Sequence, residues 1–158
     1  MATLHEIANY FIEKAYENNK PISNKKLQKL VYYAQVWFLV HYNTKLFRDK
    51  IEAWIHGPAI PALYSKYRRF SYGNLPQPTE SINLPNSITA FLDEVWRVYG
   101  KLDANYLEQL THSELPWQQA REGLDINQSS SKEINMTFAK NFYAQLLNNS
   151  SGDTGATA

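Results

Sequence analysis

The chemistry available to this chain rests on four histidines and the carboxylates near two of them. His56 lies in AWIHGPA, before a Gly-Pro pair that permits an unusual backbone path, and His112 lies in THSELPW, close to Thr111 and Glu114. A histidine becomes a general base when a carboxylate orients its ring. Glu52 and Glu114 are near enough in sequence to do this for His56 and His112, a pattern that would suit a small hydrolase. The remaining equipment is not visible, because Ser, His and Asp occur without a nucleophile elbow or a Gly-rich oxyanion loop. The plainer role for each histidine is a hydrogen bond to backbone at an irregular turn. His5 falls on an opening helical turn, and His41 closes an apolar helix, where an imidazolium complements the C-terminal dipole.

Metal and cofactor chemistry are not expected. The sequence has no cysteine, no HExxH, no EF-hand loop and no Glu-x-x-His pair. Its six glycines are scattered singly, without the spacing that cradles a phosphate. Two basic clusters remain, Lys25-Lys26-Lys29 and Lys66-Arg68-Arg69. The second is interleaved with Tyr64, Tyr67, Phe70 and Tyr72, which could serve a nucleic-acid backbone. Cations ending a helix also complement its dipole, and that solvated reading makes nucleic acid the less expected partner.

At 158 residues the chain suits one domain with a real core. Sixteen basic and fifteen acidic residues give a net charge of +1, so no bulk field draws the chain to DNA or an anionic membrane. The absence of cysteine fits a reducing cytoplasm. The longest apolar run, Leu30 to Tyr42, is too short to span a bilayer, and no targeting signal is visible. Aromatic residues make up 14% of the chain, so the domain must pack on rings, some of them candidate interface anchors.

The elements that position these residues are mainly helical. Thr3, with Glu6 three positions on, forms a capping box for a helix to about Asn18. Ser23 or Asn24 caps a second helix to about Tyr42, amphipathic at first and apolar nearly all round from Leu30, as a central helix should be. Lys25, Lys26 and Lys29 point away from its stripe. A short two-stranded hairpin is expected around residues 46–55, with Arg48-Asp49-Lys50 in its middle. Pro58 or Pro61 opens a third helix to about Phe70, and a Pro-rich loop covers residues 71–85. Further helices run from about Ser87 to Tyr99, after Asp103, from Pro116, and from a Ser131 cap to about Leu147. The fold class is therefore mainly α, one globular multi-helix domain over residues 1–147. A polar tail, residues 148–158, cannot offset its ordering entropy and is expected to be flexible.

Three segments together carry a resemblance: Lys26–Phe47, Ile51–Tyr67 and Leu110–Arg121. The combination EAW-x-x-GP-x-x-P followed by L-T-H-x-E-x-PW-x-x-AR resembles the Panacea domain of bacterial and phage antitoxins, the SocA-like or GepA-like proteins. Ala59 stands where that family commonly has valine. The sequence carries no N-terminal DNA-binding module of the kind fused to some members, so autoregulation by this chain alone is not expected. The resemblance implies a non-enzymatic antitoxin that neutralises a cognate toxin, encoded beside it, by direct binding. It also implies that SocA-like members act as adaptors delivering the toxin to the ClpXP protease. The candidate toxin-binding or motif residues are Trp54, His56, Gly57, Pro58, Tyr64, His112, Glu114, Trp117 and Arg121. Gly57 and Pro58 would fix a sharp passage into a helix, the two tryptophans would supply packing surface, and the polar four would hold the turns together.

Overall fold

Capping chemistry sets the first two helices. In the computed structural model, which describes residues 1–152, the Thr3 hydroxyl accepts from Glu6 N while Glu6 reaches back to Thr3 N. That reciprocal pair opens α1, Leu4–Glu17, whose Leu4, Ile7, Ala8, Phe11, Ile12 and Ala15 are buried as one stripe. Ser23 caps α2, Asn24–Tyr42, and Asn43 ends it in the left-handed region at φ 55°, its N–H bonded to Leu39 O at 2.9 Å. Helix α2 touches α1, a two-stranded hairpin, the short helix that follows it and three later helices. A helix surrounded in this way is apolar nearly all round, as its sequence is.

The hairpin lies later than residues 46–55. Its strands are β1, Glu52–Trp54, and β2, Gly57–Ala59, antiparallel with Glu52 opposite Ala59 and Trp54 opposite Gly57. Arg48-Asp49-Lys50 belong to an extended approach, fastened by Gln35, whose Oε1 accepts from Leu46 N at 2.8 Å and whose Nε2 donates to Phe47 O at 2.8 Å. The turn falls instead at Ile55-His56, because Gly57 takes a φ of 107° that a side chain would resist. On the other edge of β1, Ala53 N donates to Lys132 O and Ile134 N donates to Ile51 O, each at 2.8 Å. Residues 132–134 thus extend the ladder, which moves the start of the last helix beyond the expected Ser131 cap.

The remaining elements are helical. Helix α3, Pro61–Tyr67, has proline in its first turn and runs into a 3-10 turn over Arg68–Phe70. Helices α4, Asn86–Tyr99, α5, Ala104–His112, and α6, Leu115–Ala120, follow, α5 capped by Asp103. Helix α7 spans Met136–Gly152, with Asn135 Oδ1 accepting from Phe138 N. It therefore includes residues 148–152 of the expected tail, while 153–158 lie outside the described residues.

Much of the aromatic content is core. Tyr32, Tyr33 and Tyr143 are at most 1% exposed, and Tyr33 stacks on Tyr99 with centroids 4.0 Å apart. Buried hydroxyls need partners. Tyr32 and Tyr143 bond each other at 2.9 Å, Tyr33 and Tyr143 both donate to Glu114 Oε1 at 2.8 Å, and Trp37 Nε1 donates to Tyr99 OH at 2.7 Å. Glu114 thereby ties α6 to α2 and α7.

Candidate functional site

The hairpin separates the motif residues into two sets. Behind it, Trp117 Nε1 donates to Trp54 O at 2.8 Å, and Arg121 Nη1 donates to Ala53 O at 2.9 Å. The other arm of Arg121 donates to the carbonyls of Asp125, at 3.2 Å, and Gln128. Its guanidinium lies 5.0 Å from the Trp117 ring centroid, and the His112 ring stacks on Trp117 with centroids 3.9 Å apart. Burial lowers the His112 pKa, and its Nε2 is buried without a hydrogen-bond partner among the described residues. Glu114 sits deeper; burial raises its pKa although the two tyrosine hydroxyls act against that. Arg121, Trp117 and Glu114 thus bond backbone carbonyls and tyrosine hydroxyls, whereas the His112 ring is held by stacking.

In front of the hairpin, Trp54, His56, Gly57 and Tyr64 line a cleft of about 710 Å³. Trp54 meets Tyr64 edge to face with centroids 4.9 Å apart, and its Nε1 donates to Glu52 Oε1 at 2.9 Å. The floor is the first turns of α2. Asn24 Nδ2 donates to Tyr64 O at 3.2 Å, Gln28 Nε2 donates to Asn24 Oδ1 at 2.9 Å, and Gln28 Oε1 accepts from Ile60 N at 2.8 Å. Ser129–Ser131 and Tyr72 form its lips, and Tyr72 is 93% exposed.

One lining residue corrects the sequence reading. Lys29, placed there outside the apolar stripe of α2, is only 2% exposed, and its Nζ donates to Pro58 O at 3.1 Å. The hairpin folds over that face of α2, and the peptide carbonyl of Pro58 supplies an acceptor that a charge pattern cannot reveal. Desolvation lowers the amine's pKa to about 7, helped by Lys25 and opposed by Glu108. Gly57 makes the passage possible: a Cβ there would stand 2.5 Å from Lys29 Cε and 3.0 Å from Thr111 Oγ1.

Neither expected histidine–glutamate pair forms. His56 is 75% exposed at its side chain, and its Nδ1 faces Glu108, at 3.4 Å, rather than Glu52. Burial alone would raise Glu108, but Lys25 and His56 hold its pKa below the usual value. The carboxylates of Glu114 and Glu52 are taken by tyrosines and by Trp54 respectively. The basic-aromatic run also separates: Tyr67 is buried, Tyr64 packs on Trp54, and Arg69 lies over Phe70 at 4.8 Å, leaving Tyr72 open. Among the described residues no group of three or more His, Asp or Glu is placed to hold a metal ion, and no helix is long and apolar enough to cross a membrane.

The motif residues of this helical domain thus brace a hairpin beside an open aromatic cleft. Residues 27–118, which contain most of α2, the hairpin and α5, match the family described as antitoxin SocA-like, Panacea domain, and the chain belongs to that family. It is similar to "Antitoxin SocA" of Caulobacter vibrioides (strain NA1000 / CB15N), at 43% identity over 58 residues. That stretch is 37% of this chain and 31% of the relative, so the chain is matched to less than a third of that protein's length. No solved structure matches the chain.

Proposed function

We propose that this protein is an antitoxin that neutralises a cognate toxin by direct protein–protein binding, with the toxin encoded beside it. Membership of the SocA-like, Panacea-domain antitoxins carries the reading. The geometry is consistent with it, since His56 and His112 are not paired with Glu52 and Glu114, whose carboxylates are bonded to Trp54 and to two tyrosines. The protein acts in the cytoplasm of a bacterium or of a cell carrying a prophage, without a cofactor and without nucleic acid as its main partner. Delivery of the bound toxin to a ClpXP-type protease is a second step open to the same complex.

Growth assays test both parts. The product of the adjacent gene is expressed alone and together with this chain, in hosts with and without ClpXP. Toxicity relieved in both hosts supports sequestration; relief confined to the protease-proficient host supports delivery. An adjacent product that is harmless alone, or stays toxic in the presence of this chain, removes the proposal.

A further inference from the structure

We propose that the cleft in front of the hairpin is the toxin-docking surface, and that it takes a toxin segment presenting an acidic side chain beside an aromatic one. The proposal rests on the antitoxin reading above and adds to it the place and the chemistry of contact.

Shape and composition point to this face. A cleft of about 710 Å³ is large enough for several side chains of a partner. Its walls, Trp54 and Tyr64, are only partly buried, and Tyr72 at its lip is almost wholly exposed. Aromatic residues that combine an apolar body with a polar handle are the usual anchors of protein interfaces. Edge-to-face Trp54 and Tyr64 leave ring surface toward the opening, which an incoming aromatic side chain would cover.

Charge supplies the second half. Lys29 is among the residues lining the cleft, its buried Nζ has Pro58 O as its acceptor, and an ammonium carries three donors. Lys25 stands beside it, bonded to Asn105 Oδ1 at 3.0 Å and paired with Glu108. The acidic lining residue, Glu52, is already taken by Trp54 Nε1 and by Lys50 at 3.5 Å. Exposed Arg68 and Arg69 lead directly into the Ser71–Tyr72 lip. A carboxylate that enters past that lip and displaces the hairpin enough to reach Lys29 would take up donors that Pro58 O leaves unused and would relieve the cost of keeping its ammonium buried. Burial of a cation with so little compensation weakens the free domain, which is the pattern of a residue kept for binding.

The absence of native cysteine gives a clean test. Ser131→Cys places a single thiol at the lip, and Arg97→Cys places one on exposed α4, outside the cleft. Each variant is reacted with a maleimide, free and in complex with the co-expressed adjacent-gene product. The expected result is that Ser131→Cys loses reactivity in the complex while Arg97→Cys keeps it. Lys29→Met should weaken the complex about 10- to 100-fold, as expected for removing a charged hydrogen bond, with no loss of melting temperature near neutral pH. A complex in which Ser131→Cys stays reactive overturns the docking site and leaves the antitoxin reading standing. Protection of Ser131→Cys with unchanged Lys29→Met affinity overturns the acidic chemistry. Failure of the wild-type chain to form a complex defeats the antitoxin reading and the docking site with it.

Discussion

Replacing Lys29 by methionine should make the folded protein more stable in mild acid and less stable in base. Methionine keeps the length of the side chain and removes the amine. Lowering the ammonium pKa from 10.5 to about 7 corresponds to roughly 5 kcal/mol, at about 1.4 kcal/mol for each factor of ten. The unfolded chain holds the proton up to about 10.4, so between the two values it binds more protons than the folded chain. Folded stability therefore rises with pH across that window, and the cost of the buried cation is fully present below it. Against this stands the lost bond to Pro58 O, a pH-independent penalty of about 1–3 kcal/mol if that carbonyl is left without a donor. Lys29→Met should thus gain roughly 2–4 kcal/mol near about pH 6 and lose about 1 kcal/mol near about pH 10. Urea unfolding of both chains across this range measures the difference directly, with the titration of shared groups cancelling. A difference that stays constant with pH would refute the burial of a titrating amine at this position.

Further outcomes follow from the same geometry. Arg121→Ala removes donors to the carbonyls of Ala53, Asp125 and Gln128 and the cover over Trp117; urea unfolding should show a loss of about 3 kcal/mol or more. Gly57→Ala meets both a φ of 107° and the Lys29 side chain at 2.5 Å; a destabilisation of at least about 2 kcal/mol is expected, and thermal melting will register it. Because burial holds the Glu114 pKa above 4.5, the folded chain keeps that proton longer than the unfolded one, so stability falls as pH rises beyond the unfolded value. Glu114→Gln should flatten that part of a pH–stability profile, and an unchanged slope would remove the assignment.

Sequence reading reached the helices through local chemistry: the Thr3–Glu6 box, the Ser23 cap, the Asp103 cap and the prolines opening α3 and α6 each act within a few residues. It missed what depends on distant partners. The Arg48-Asp49-Lys50 run has the composition of a turn, but Gln35 fastens the approach to the hairpin and the left-handed Gly57 sets the turn at Ile55-His56. Ser131 had the composition of a cap, yet pairing of residues 132–134 with β1 passed that role to Asn135. The motif residues were legible as a group, and their division into braces behind the hairpin and cleft walls in front was not. Lys29 was misread because a helical wheel shows which residues leave an apolar stripe, whereas only the folded hairpin shows what covers them.

Neutralisation by binding is tested most directly by the mass and composition of the species formed when this chain is purified with the adjacent-gene product. Size-exclusion chromatography with light scattering should give one species of fixed stoichiometry, inactive as a toxin and regaining toxicity when the chain is removed. Separate elution of the two proteins, with the adjacent product still active in the mixture, would contradict the account.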